Sequence, residues 1–226
     1  MYFQNRIAAL ALRIAAAIAS GAGLIILSGM AAWRICLSML AYYTNLSNLA
    51  CLAAFIALSV KTAADIKKGG ARGLTAMPPP IKGAVLMMLA VTMLVYHFML
   101  SATGFVMQVN LDGRIAAANI LLHYIAPCLA LADWLLFDKK NTFKRSDPVK
   151  WLAVPFAYFI FILIRGAVAP DATPRYPYYF LDADAIGAAG VAAYAVAFAF
   201  AFAALGYIMV VIDKLLAKYI NPTPRS

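Results

Sequence analysis

The sequence predicts an all-α integral membrane protein with six membrane-spanning helices. Of its 226 residues, 65% are hydrophobic and 12% are charged, whereas soluble domains have roughly 45–50% apolar and about 25% charged residues. A soluble chain of this length could not bury so much apolar surface, and disordered chains are far more polar. The apolar residues also form runs long enough to cross a bilayer, and the segments between these runs alternate between basic and nearly neutral.

Six apolar runs have the length of about 20 residues that a helix needs to cross about 30 Å of hydrocarbon. Within one domain that covers residues 1–226, they lie at about 7–28, 37–60, 82–104, 115–137, 150–168 and 188–212. In the last run Phe198, Phe200 and Phe202 alternate with Ala, as residues do in a strand. A lone strand would leave its backbone polar groups unpaired in lipid, so a helix is predicted there.

The basic residues predict the orientation of the helices. The segment 61–82 carries five Lys or Arg against one Asp, and the segment 138–150 carries five against two. The N-terminal Arg6 and Arg13 and the C-terminal tail are also basic, so the positive-inside rule predicts cytoplasmic N- and C-termini. The net charge of +10 is then explained by attraction to anionic lipid head groups, and nucleic acid is not expected as a partner.

The sequence predicts no metal and no cofactor. Cys36, Cys51 and Cys128 form neither a CxxC pair nor a Cys/His cluster, so their spacing does not predict a zinc site. No phosphate-binding glycine loop is present either.

Polar residues of three predicted spans lie at one level of the membrane. At about 1.5 Å per residue, Thr44, His97 and His123 each lie roughly 10–12 Å from the predicted outer end of their span. A threonine hydroxyl needs a base to become a good nucleophile, and histidine is the usual base. The pattern therefore favours nucleophilic hydrolysis, with Thr44 as nucleophile and His123 as general base and then acid; either histidine could contact Thr44.

Amide side chains on the same spans are candidates for stabilising an oxyanion. Asn45, Asn48 and Asn119 are predicted for this role or for the pocket wall, together with His97. The alternative is a purely structural role in helix packing, in which the Thr44 hydroxyl donates to the carbonyl of Leu40 and the Asn and His side chains join helices. Pro127, four residues after His123, is expected to kink its helix and widen a pocket there.

The segment 169–187 between the last two spans is predicted to form an outer-face lid or binding loop. Arg165, just before it, is predicted to bind a substrate carboxylate, with a contact to lipid head groups as the alternative. Tyr43, Tyr178 and Asp182 complete the predicted substrate-binding residues, and Tyr43 could instead belong to an interfacial aromatic belt. Asp182 is also the candidate for a third catalytic residue beside His123, whereas Asp184 could cap the last helix.

Three motifs carry a family resemblance. YYTNLSNL in the second span, HYIAPCLALADWLLF in the fourth, and RG followed by YPYYFLD in the segment 165–182 resemble the androgen-induced-gene-one family and its bacterial six-pass relatives, over residues 5 to 215. That family includes the androgen-dependent regulator of tissue factor pathway inhibitor. The resemblance implies a six-helix membrane hydrolase with cytoplasmic termini that cleaves fatty acid esters of hydroxy fatty acids. By motif position, its threonine nucleophile matches Thr44 and its histidine matches His123.

The sequence therefore predicts a lipid ester hydrolase with a threonine nucleophile, in the inner (plasma) membrane of a bacterium. The expected partners are the membrane itself and a lipid or amphipathic ester substrate. The alternative is a non-enzymatic membrane protein that binds or transports a small amphipathic molecule at the same polar level. A third possibility is a structural protein in which the polar residues only join helices.

Overall fold

A computed structural model describes residues 3–30, 37–103 and 114–220 of the chain, so Cys36 and residue 104 of the predicted third span lie outside the described residues. Within this part, six helices are long and apolar enough to cross a membrane, as the sequence predicts. They are α1 (Arg6–Ser28), α2 (Tyr43–Gly69), α3 (Pro79–Leu100), α4 (Arg114–Phe137), α5 (Asp147–Val168) and α6 (Ala183–Tyr219).

The start of α2 differs from the prediction. Residues Leu37–Ala41 form a separate 3₁₀ turn, and Tyr42 is extended with φ −90° and ψ 130°, so the α-helix begins at Tyr43. Asn45 stabilises this break because its Nδ2 donates to the carbonyl of Met39 at 2.8 Å. Thr44 therefore lies in the first turn of α2 rather than seven residues into a helix, and the depth calculated from residue 37 does not apply to it.

The first four helices form the centre of the bundle. α1 packs along α2 and against α4, α2 also packs against α3, and α3 contacts α4. Small residues permit these approaches: a Cβ at Gly23 of α1 would lie 2.5 Å from the Leu122 side chain of α4. The helix α5 reaches α3 at several points, and α6 packs mainly against the first turns of α5 and against residues Tyr179–Leu181.

A buried ion network joins α1, α3 and α4 at the end of the bundle opposite Thr44. The Nε of Arg13 donates to Asp133 at 2.7 Å, and Lys82 donates to both Asp133 and Asp138, at 3.1 Å to the latter. Arg13 also donates to the Thr62 hydroxyl at 2.7 Å. Because Arg13 and Lys82 are buried in protein, the expectation that the basic residues contact lipid head groups is wrong for these two.

Candidate active site

Thr44 and His123 form a hydrogen-bonded pair between α2 and α4. Thr44 Oγ1 lies 3.1 Å from His123 Nε2, and the two side chains belong to residues that are 4% and 1% exposed. His123 Nδ1 lies 3.0 Å from the carbonyl oxygen of Asn119, one turn earlier in α4. A carbonyl can only accept, so Nδ1 carries the proton and Nε2 is left to accept from the Thr44 hydroxyl. This is the tautomer that a general base requires.

A widened turn of α4 presents His123 to α2. Residues Leu121–Ile125 form a π-helical turn in which the Ala126 N–H donates to Leu121 O. Pro127 lies two residues after the end of this turn and has no N–H to donate to the His123 carbonyl. The missing hydrogen bond favours a π turn over a regular α-helical turn here. The turn leaves the Leu122 carbonyl without its helical partner, and Asn48 Nδ2 donates to it at 3.1 Å. The predicted influence of Pro127 thus takes the form of a π turn at His123.

Asn48 stabilises the backbone of the site and has little capacity left for an oxyanion. Its Nδ2 donates to Thr44 O at 2.9 Å as well as to Leu122 O, and its Oδ1 accepts from the Ser20 hydroxyl at 3.3 Å. Both amide hydrogens are thereby used. Together with the bond from Asn45 to Met39, these contacts argue against the predicted oxyanion role of either amide side chain. Asn119 takes part through its backbone carbonyl.

Tyr96 holds the imidazole from the side of α3. Its ring stacks on His123 with centroids 3.8 Å apart and planes inclined by 22°. Tyr96 begins a second π-helical turn, Tyr96–Leu100. His97 points elsewhere: it is exposed, and its Nδ1 lies 3.2 Å from the Tyr124 hydroxyl. The structure thus brings His123, and not His97, to Thr44; sequence reasoning passed over Tyr96, although it precedes His97 in the polar level.

The segment 169–182, called the α5–α6 loop below, is held by arginines. Arg165 Nη1 donates to the carbonyls of Pro174 and Arg175 at 2.8 and 2.9 Å. Arg175 donates in turn to Gly166 O at 2.8 Å and pairs with Asp184 at 2.7 Å. Arg165 therefore fastens the loop to the end of α5, an arrangement that neither of its two predicted roles included.

Asp182 caps α6. Its Oδ1 accepts from the backbone N–H groups of Asp184 and Ala185, both at 3.1 Å. The predicted role of Asp182 as a carboxylate partner of His123 finds no support, since no carboxylate bonds to His123 within the described ranges and its Nδ1 is occupied by Asn119. Asp184, the predicted cap, instead pairs with Arg175.

The α5–α6 loop brings Tyr178 to Thr44. The Tyr178 ring is buried, stacks on Phe180 at 5.1 Å and meets the edge of Tyr42 at 5.9 Å. Its hydroxyl lies within hydrogen-bonding reach of Thr44 and of the Tyr43 backbone. Burial raises the pKa of Tyr178 to about 12, although these hydrogen bonds oppose the rise. The phenol therefore stays protonated and able to donate at physiological pH.

Thr44 opens onto an apolar groove between α3, α5, α6 and the α5–α6 loop. The groove is open at its mouth, and no charged residue lines it. Most of its wall is aliphatic or aromatic, and its hydroxyls come from Thr44, Thr92 and three tyrosines besides Tyr178, namely Tyr43, Tyr96 and Tyr158. The buried Tyr43 hydroxyl has no hydrogen-bond partner within the described residues. A bound polar group would remove the cost of that unsatisfied hydroxyl.

No cluster of three or more His, Cys, Asp or Glu that could hold a metal ion occurs among the described residues. The site consists of the Thr44–His123 pair, the Tyr178 phenol and the apolar groove. Comparisons of the chain with protein-family models, with curated proteins and with solved structures found no match.

Proposed function

We propose that this chain is an intramembrane hydrolase of lipid esters, with Thr44 as nucleophile and His123 as general base. One observation carries the proposal: Thr44 Oγ1 lies 3.1 Å from His123 Nε2, while Asn119 O holds the proton on Nδ1. A buried hydroxyl, a correctly protonated imidazole and a backbone acceptor that orients the ring are the parts that nucleophilic acyl transfer needs. The backbone carbonyl of Asn119 fills the place that a carboxylate has in a triad.

The reaction proceeds in two halves. Thr44 Oγ attacks the ester carbonyl carbon while His123 Nε2 takes the hydroxyl proton, and the same proton then passes to the departing alkoxide, which leaves as the alcohol. Water next attacks the Thr44 ester with His123 again as base. The protonated His123 returns this proton to Thr44 Oγ as the carboxylic acid is released. Every proton is accounted for, and no co-reactant besides water is needed.

Tyr178 is the best candidate for stabilising the oxyanion of each tetrahedral intermediate. Its hydroxyl lies near Thr44, and its raised pKa keeps it a donor. A donor in a dry site of this kind is worth roughly 10²–10³-fold in kcat. Asn45 and Asn48 are poorer candidates, because their Nδ2 groups already donate to backbone carbonyls.

The apolar groove supports a lipid substrate. Its wall carries no charged side chain, and its mouth lies among helices that are apolar enough to cross a membrane. A hydrophobic ester would therefore partition into it from the bilayer. The family resemblance of the three motifs supports the same chemistry and, through the bacterial relatives, a location in a bacterial inner membrane. The distribution of Lys and Arg supports cytoplasmic termini.

An ester hydrolysis assay on purified protein in detergent or nanodiscs tests the proposal. Thr44→Ala and His123→Ala should each lower kcat/KM by about 10³-fold or more, since the residues act as a unit. Thr44→Ser should keep measurable activity, because it retains the hydroxyl. Ser101→Ala is a matched control just after α3, since Ser101 is exposed and its hydroxyl donates to the His97 carbonyl at 2.6 Å.

Full activity of both Thr44→Ala and His123→Ala would overturn the assignment. A wild-type protein that binds amphipathic esters with no turnover would instead favour the binding or transport alternative. Thermal unfolding must accompany the assay: if both variants lose stability rather than activity, the pair serves packing.

A further inference from the structure

The helices α5 and α6 are held together at two ends and separate between them. At one end the first turns of α5, Asp147–Trp151, pack against α6, where a Cβ at Gly206 would lie 2.9 Å from Pro148 Cβ. At the other end residues Tyr179–Leu181 contact both helices. Between these two closures α5 and α6 make little contact. The result is a window in the side of the bundle.

The window leads from the lipid-facing surface to the groove. Ala195, Phe198 and Phe202 line the groove and are half-buried, as expected of residues beside an opening. Phe156, which also lines the groove from α5, is 37% exposed. Phe200, on the neighbouring face of α6, is 74% exposed, so the surface around the window is one that hydrocarbon would cover.

The groove extends along α6. Its wall on α6 runs from Ala195 to Phe202, which is about 10 Å along a helix. Phe180, Phe198 and Phe202 form a continuous aromatic side, with successive centroids 5.0 and 5.2 Å apart. The small side chains of Ala195 and Ala199 face the same space and leave its width open.

We propose that this groove binds one unbranched acyl chain, which enters sideways from the lipid through the window between α5 and α6. The chain lies against Phe198 and Phe202, with its carbonyl carbon at Thr44, and Ala195 and Ala199 set the length and width of chain that fits. The occupant follows from the continuity of an uncharged groove with both Thr44 and the lipid-facing surface. The inference deepens the proposed function and rests on it for the position of the ester.

A series of p-nitrophenyl esters from acetate to palmitate tests the chain site. Each methylene group buried should raise kcat/KM of the wild type by about fourfold until the groove is full. Ala199→Leu fills the groove beside Phe202 and should lower the ratio of kcat/KM with palmitate to kcat/KM with acetate at least tenfold. Ala197→Leu is the matched control, because Ala197 is exposed on the same helix and does not line the groove.

Ala195→Leu provides a second blocking variant if Ala199→Leu does not fold. The inference is overturned if Thr44-dependent hydrolysis does not vary with chain length, or if Ala199→Leu and Ala197→Leu give the same profile. In either case the proposed hydrolase would stand, because the activity would still need Thr44.

Photolabelling tests the groove independently of catalysis. A palmitate analogue with a terminal diazirine, added to Thr44→Ala, should label peptides of α6 and α5 around Phe202 and Phe156, and Ala199→Leu should suppress this labelling. Labelling spread over the exposed outer faces of all six helices, unchanged by Ala199→Leu, would contradict the acyl site even if no ester is ever hydrolysed.

Discussion

The ring of Tyr96 stacks on the imidazole of His123 at a centroid distance of 3.8 Å, while Asn119 and Thr44 occupy the two ring nitrogens. The imidazole is thereby fixed in position and in tautomer by three different helices. Tyr96 belongs to α3, Asn119 to α4 and Thr44 to α2. Preorganisation of this kind matters because a misplacement of about 1 Å costs about 10²-fold in rate.

Tyr96 is therefore predicted to be a positioning residue. Tyr96→Leu removes the stacked ring and should lower kcat about 10- to 100-fold, with a smaller change in KM. Tyr96→Phe keeps the ring and should restore kcat to near the wild-type value, a rescue measured by steady-state kinetics. Equal activity of the Leu and Phe variants would mean that the stack does not orient His123.

Tyr178→Phe is predicted to lower kcat by about 10²-fold with KM little changed, because the oxyanion loses a donor while the buried ring remains. Tyr207→Phe is the control, since Tyr207 is exposed on α6 and does not line the groove. A loss of affinity for a trifluoromethyl ketone, which mimics the intermediate, should match the loss in kcat. Equal effects of Tyr178→Phe and Tyr207→Phe on that affinity would contradict the role.

The raised pKa of Tyr178 gives this donor a pH dependence. Its pKa of about 12 lies above the ordinary value of 10, so the neutral form is favoured in the fold. The stability that it contributes is present below pH 10 and lost as the pH rises through about 12. The kcat of the wild type should therefore not fall between pH 8 and pH 10, and a stopped assay with an alkyl ester measures this. A fall across that range that Tyr178→Phe removes would show that the phenol ionises earlier.

Asp133→Asn is predicted to lower the free energy of unfolding by about 3–5 kcal/mol, because Arg13 and Lys82 lose a buried counter-charge. Thermal unfolding in detergent measures the effect, and Asp171→Asn, an exposed loop position, is the control. The activity of the folded fraction should be unchanged. An unchanged melting temperature, or a loss of activity with stability intact, would assign the network to function rather than to stability.

Arg165→Gln is predicted to loosen the α5–α6 loop, because the carbonyls of Pro174 and Arg175 lose their donor. Hydrogen exchange in residues 173–182 should quicken, and KM should rise for all esters alike. If the variant loses only esters that carry a free carboxylate, and exchange in the loop is unchanged, then Arg165 binds substrate.

The helices were the most predictable part of the molecule. Apolar runs of membrane length gave all six, since hydropathy alone decides whether a helix can lie in lipid. The start of α2 was not predicted, because the apolar run continues through it. The helix is interrupted there by the extended backbone of Tyr42 and by the hydrogen bond from Asn45 to Met39 O. Periodicity has no means of detecting such a break.

The site was predictable as a set of residue types and less so as contacts. Thr44 and His123 were singled out as polar groups at one level, and the structure places them in contact. The partners of Arg13, Lys82 and Asp133 could not be foreseen, because they lie on helices whose neighbour relations a single sequence does not contain. Tyr178 reaches Thr44 only because the α5–α6 loop folds back, and no local pattern encodes that.

The most direct test of the Thr44 nucleophile is the site of covalent capture by a long-chain fluorophosphonate. Intact-protein and peptide mass spectrometry should find one phosphonyl group on Thr44 in the wild type. Thr44→Ala should carry none, and His123→Ala should be labelled at least about 10²-fold more slowly because the base is lost. A wild type that hydrolyses esters while its phosphonyl group lies on another residue, or a Thr44→Ala variant labelled as fast as the wild type, would contradict the assignment.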